Sequence, residues 1–189
     1  SLTARPGHLR LFGRETMGSI FKQSLVARRQ QAHHFSASTV VEFEPEHYQQ
    51  LAGLICYYNS AKYHYLYLSH DEKVGKHLRV MSSIPDGVVA DAFTPMIPIP
   101  AGKPVELRVE VDQERMYFGY RIGGTGAWTW LPQMFDASIL SDEASAPGAP
   151  NFTGNFVGVA CHDMSGAGKP ADFDWFEYRE RAFRVNPFT

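Results

Sequence analysis

Apolar and charged residues alternate strictly over Val105-Glu106-Leu107-Arg108-Val109-Glu110-Val111-Asp112. Successive side chains of a strand point to opposite sides, so this segment predicts a strand with one buried and one polar face. Met116-Tyr117-Phe118-Gly119-Tyr120-Arg121-Ile122 reads the same way. Gly123-Gly124-Thr125-Gly126 then supplies a turn open to positive φ before Ala127-Trp128-Thr129-Trp130-Leu131. Together they predict a three-stranded antiparallel meander.

Similar runs at 9–12, 32–43, 51–58, 63–70, 77–81, 155–162 and 171–178 are separated by Gly, Pro, Asn and Asp. Many short strands at this spacing predict two sheets packed face to face. Helical candidates are confined to 45–50 and 135–140, a turn or two each. Without crossover helices a parallel α/β sheet is excluded, and the fold class is an all-β, two-sheet antiparallel β-sandwich. Residues 94–104 carry four prolines, which lack the ladder N–H and mark an edge or connector. Residues 141–154 form a small-residue loop ending in Asn151-Phe152-Thr153-Gly154, where the bulky Phe152 has no strand to join.

The chain has 189 residues, with 18 Lys+Arg against 20 Asp+Glu, a net charge of −2. That length predicts one domain, with a core over about 7–181. A near-neutral balance lacks the basic footprint of nucleic-acid or polybasic membrane binders, so neither partner is expected. Cys56 and Cys161 are too few for a disulfide framework and lack zinc-type spacing, so they read as buried thiols in a reducing, cytoplasmic setting. No apolar run approaches the length of a membrane span, and the Ser1 start suggests a piece of a longer protein.

Chemical motifs are sparse. Gly166-Ala167-Gly168-Lys169 imitates the end of a phosphate loop, but Pro170 stands where the magnesium-binding hydroxyl belongs and no helix follows. His33 and His34 are adjacent, as are Cys161 and His162, so in strands each pair points to opposite faces. Asp172 and Asp174, spaced i, i+2, share one strand face. They are either acceptors for backbone amides at the strand end or part of a calcium site. Asn151-Phe152-Thr153 matches a glycosylation acceptor. Of the 25 aromatic residues, Tyr57, Tyr58, Tyr63, Tyr65, Trp128 and Trp130 are candidates for stacking on sugar rings, although most serve the core. No catalytic residue, resident metal or cofactor is assigned.

Longer stretches carry a resemblance. Arg5-Pro6-Gly7-His8-Leu9-Arg10-Leu11-Phe12-Gly13-Arg14-Glu15 and Gln23-Ser24-Leu25-Val26-Ala27-Arg28-Arg29-Gln30 resemble the opening of the C-terminal domain of glycoside hydrolase family 43 β-xylosidases. Further matches are Gln50-Leu51-Ala52-Gly53-Leu54-Ile55-Cys56-Tyr57-Tyr58-Asn59, Phe152-Thr153-Gly154-Asn155-Phe156-Val157-Gly158 and Ala171-Asp172-Phe173-Asp174-Trp175-Phe176. The resemblance spans nearly the whole chain. It implies a concanavalin A-like, jelly-roll type sandwich that follows a five-bladed propeller, the propeller holding the carboxylates of an inverting β-xylosidase, often with α-arabinofuranosidase activity. It further implies that Phe152 reaches the rim of the propeller's xylo-oligosaccharide pocket. The expected role is a non-catalytic accessory domain in xylan degradation. The alternative is a free-standing, lectin-like carbohydrate-binding module.

Overall fold

The computed structural model describes residues 1–84, 92–144 and 152–181. Among them the strands are β1 (Leu9–Phe12), β2 (Ser24–Arg29), β3 (His34–Glu42), β4 (Gln50–Asn59), β5 (Lys62–Asp71), β6 (Gly75–Ser83), β7 (Ala92–Phe93), β8 (Ile97–Pro98), β9 (Val105–Asp112), β10 (Arg115–Ile122), β11 (Thr129–Trp130), β12 (Phe135–Asp136), β13 (Phe156–Asp163) and β14 (Pro170–Glu180). The first sheet runs β1-β14-β3-β9-β10-β11, with β12 also on β10. The second runs β2-β13-β4-β5-β6-β7, with β8 also on β6. Every pairing between these strands is antiparallel, which gives the two-sheet sandwich that the alternation predicts, in the concanavalin A-like arrangement that the resemblance implies.

The period of two decides what lies between the sheets. Phe35, Val109 and Phe118 from the first sheet meet Leu54, Leu66 and Val80 from the second in one buried cluster. Each large apolar side chain removed from water there contributes roughly 1.5–3 kcal/mol before entropy is counted. The intervening residues of the second sheet face outward yet are also buried: Ile55, Tyr63, Tyr65 and Tyr67 form a second cluster with Met17, which comes from the segment between β1 and β2. Tyr65 donates to the Ala160 carbonyl at 2.9 Å, so its ring spans β4 to reach β13. Gly53 on β4 leaves room for this crowded surface: a Cβ there would stand 2.0 Å from the Leu66 carbonyl oxygen.

Several expectations need correction. Residues 45–50 are not helical; Gln50 accepts at its side-chain oxygen from the Glu46 amide and its own amide donates to His47, a turn leading into β4. Over 135–140 the chain makes β12 and then a 3₁₀ turn, Ala137–Leu140, capped by Asp136. The strand expected at 127–131 is shorter: Thr129 and Trp130 pair with β10, and the Leu131 amide donates to the Phe118 carbonyl at 2.9 Å. β2 was not anticipated from alternation. Asp172 accepts from guanidinium groups, not from backbone amides, and a bulge between Phe173 and Phe176 interrupts the pairing of β14 with β3 beside Asp174. Among the described residues no group of three His, Cys, Asp or Glu is placed to hold a metal, and no helix is long and apolar enough to cross a membrane.

Candidate functional site

Phe152 stands at one end of the second sheet, beside the β4–β5 turn, with 86% of its surface exposed. Its loop is nevertheless anchored at both described stems. On the side entering the loop, the Lys62 ammonium donates to the carbonyls of Ser141 (2.7 Å) and Ala144 (3.1 Å) and lies 3.7 Å from the centre of the Tyr58 ring. Burial pushes the pKa of Lys62 down, and the charges of Asp142 and Glu143 oppose that shift. The Tyr58 hydroxyl donates to Asp142 at 2.5 Å, and Asp142 also accepts from the Gly154 amide at 3.3 Å.

On the side leaving the loop, the Arg29 guanidinium donates to the Thr153 carbonyl and packs over the Phe156 ring. Gly154 has φ +68, a left-handed backbone conformation that favours glycine. Asn155 Nδ2 then donates to Gln30 Oε1 at 2.7 Å, tying the stem to the end of β2. The backbone that directly follows Phe152 is therefore tied to the end of β2.

A second apolar pair sits beside it. Ile20 and Phe21, 79% and 82% exposed, share with Phe152 a concavity of about 450 Å³ that also includes Tyr57 and Asn59. Their loop is held by Gln23, whose Nε2 donates to the Met17 and Ser19 carbonyls at 2.7 and 2.6 Å and contacts the Tyr57 hydroxyl at 3.1 Å. Glu15 accepts from the Ser19 hydroxyl and the Lys22 amide, and these bonds lower its pKa. Burial raises the pKa of the Tyr57 phenol, with the Gln23 bond opposing. The edge has the chemistry of a packing surface: apolar side chains on pinned loops, open to a partner.

The other sequence candidates scatter. His33 is exposed, while His34 pairs with Asp112 at 2.6 Å. Cys161 is in the core and His162 on the outer side of the same strand. The phosphate-loop imitation is the β13–β14 turn, where Asp163 accepts from the amides of Ser165 and Lys169, each at 2.8 Å. Asn151 lies outside the described residues. Tyr58, Tyr63 and Tyr65 are buried; Tyr57, Trp128 and Trp130 are half-buried. Sequence reading missed Ile20 and Phe21, although an apolar pair inside Met17-Gly18-Ser19-Ile20-Phe21-Lys22-Gln23 was a usable signal.

Residues 1–179 match the family model described as the β-xylosidase C-terminal concanavalin A-like domain. The chain is 42% identical over 188 residues to the β-xylosidase of Bacillus subtilis (strain 168), covering 96% of this chain and 34% of that protein. It is 37% identical over 181 residues to xylosidase/arabinosidase 43B of Humicola insolens, covering 94% and 34%. The crystal structure of xylan β-1,4-xylosidase from Bacillus halodurans C-125 superposes with a TM-score of 0.90 at 39% identity, covering 95% of this chain and 34% of that one. The chain thus spans about a third of the length of these relatives.

Proposed function

The chain belongs to the family of β-xylosidase C-terminal concanavalin A-like domains, and on that premise we propose that it is the non-catalytic accessory domain of a β-xylosidase. In this reading residues 1–189 form a single sandwich unit that packs on a five-bladed propeller and lends Phe152 to the rim of a xylo-oligosaccharide pocket. The observation that carries it is the edge formed by Phe152, Ile20 and Phe21: three exposed apolar side chains on pinned loops. Contiguous exposed apolar surface of this kind marks an interaction site.

Glycoside hydrolysis needs an acid and a base flanking a sugar, and those groups are assigned to the propeller. What this chain supplies is shape and dehydration. A ring fixed at the mouth of a pocket excludes water and limits the length of substrate that enters. The names of the relatives extend the substrate class to xylosyl and arabinosyl units. The buried free thiols of Cys56 and Cys161 favour a reducing, cytoplasmic compartment.

The test is the kinetics of the longer enzyme carrying Phe152→Ala on xylobiose. A change in KM or in inhibition by xylose of about threefold or more, with thermal unfolding unchanged, is expected for a rim residue. Kinetics identical to the parent would take Phe152 out of the pocket.

A further inference from the structure

The outward-facing side of the second sheet holds a cleft of about 520 Å³, inside the range of roughly 300–1,000 Å³ typical of small-molecule sites. Tyr63 and Tyr67 of β5 belong to its lining, together with Tyr48, Arg79, Phe93 and His162. Tyr48 and Phe93 are exposed by 73% and 50%, so aromatic surface is open to solvent at the cleft, with one face of the Phe93 ring covered by Arg79.

The polar groups are just as selective. His162 is 5% exposed and its Nδ1 has no hydrogen-bond partner. A buried polar atom left in this state is a group that an ordered water satisfies, and beside the cleft such a water is in turn a partner for a ligand hydroxyl. Burial holds both His162 and His77 below the usual imidazole range, so near neutrality both rings are uncharged; His77 Nδ1 already donates to the Gly75 carbonyl at 3.2 Å, which leaves its Nε2 as an acceptor. The charged groups are already engaged: Arg79 donates to the Thr94 carbonyl at 3.1 Å and lies over the Phe93 ring, and Asp71 accepts from the Lys73 and Val74 amides. Exposed rings that stack on C–H faces, beside neutral groups that pair with hydroxyls, fit an uncharged sugar chain.

We propose that this cleft binds a neutral oligosaccharide chain at a site distinct from the Phe152 rim. The cleft and the concavity beside Phe152 meet at the register partners Tyr63 and Tyr57, whose rings stack with centroids 6.1 Å apart, while Tyr48 and Phe93 belong to the cleft alone and Phe152 to the rim alone. The role is retention of a polymer near the neighbouring pocket, and it goes beyond the rim function.

The experiment is calorimetric titration of the chain with xylohexaose and, separately, cellohexaose, using the parent and the Tyr48→Ala, Phe93→Ala and Phe152→Ala variants. Both cleft aromatics are exposed, and thermal unfolding of each variant checks that the fold is kept. Saturable binding of xylohexaose, weakened about fivefold or more by Tyr48→Ala or Phe93→Ala and untouched by Phe152→Ala, is the expected result. Binding of cellohexaose alone with the same variant pattern supports the cleft while separating it from the xylan reading. No saturation with either sugar up to about 10 mM overturns the proposal. So does binding that both cleft variants leave unchanged, or that Phe152→Ala alone abolishes.

Discussion

Arg10 and Asp172 are register partners on β1 and β14, joined by two bonds of 2.7 Å, Nε to Oδ1 and Nη2 to Oδ2. Arg5 adds a bond from Nη1 to Oδ2 at 2.9 Å, so one carboxylate ties the edge strand and the N-terminal segment to the first sheet. The bond from Arg10, reinforced by that from Arg5 and opposed by burial, holds the Asp172 carboxyl below the usual range. A depressed folded-state pKa stabilises above the unfolded value, near pH 4, and that stability is lost as pH falls through the folded value. Both guanidiniums are partly solvated, which limits the contribution. Asp172→Asn should cost about 1–2 kcal/mol at pH 7 in denaturant unfolding, and the gap from the parent should close only as pH falls below the usual carboxylate range.

His162 predicts a separate window. Burial pushes its imidazole down to about 4, opposed by the Asp163 charge. Between about pH 6.5 and that value the unfolded chain binds a proton that the folded chain refuses, so stability falls as pH falls. The full effect is on the order of 3 kcal/mol. Unfolding measured from pH 7 to pH 4.5 should show this slope in the parent and a flatter one in His162→Gln. Equal slopes would mean that another group carries the titration.

The two thiols should be chemically silent in the folded chain. Burial pushes both Cys56 and Cys161 up to about 12, and neither is in a disulfide. Thiolate is the reactive form, so a disulfide-exchange reagent at pH 8 should label almost none of the native protein and two thiols per chain in denaturant. Rapid labelling without denaturant would contradict the packing described for β4 and β13.

Legibility in the sequence followed burial. β9 could be read to its last residue because Val105, Leu107, Val109 and Val111 face the core while Glu106, Arg108 and Glu110 form the other face. β4 and β5 were visible for a different reason: both faces are buried, which gives nearly continuous apolar and aromatic runs. β2 lacked a signal because it is an edge strand with Val26 49% exposed and Arg28 and Arg29 in solvent. β7, β8 and β12 are two residues each, too short for any period to register. The Phe152 edge was half legible. Phe152 stood out by its loop context and by resemblance, whereas Lys62, Arg29 and Gln23 act across 79, 124 and 34 residues of sequence separation that no local pattern encodes.

The central claim is that the edge bearing Ile20, Phe21 and Phe152 is covered by a catalytic neighbour. Amide hydrogen exchange measures this directly, comparing the chain alone with the same chain joined to its propeller. The account predicts slower exchange over 19–23 and 152–154 in the joined protein, with the core strands β4 and β9 unchanged. Identical exchange in both forms over those two segments would contradict it.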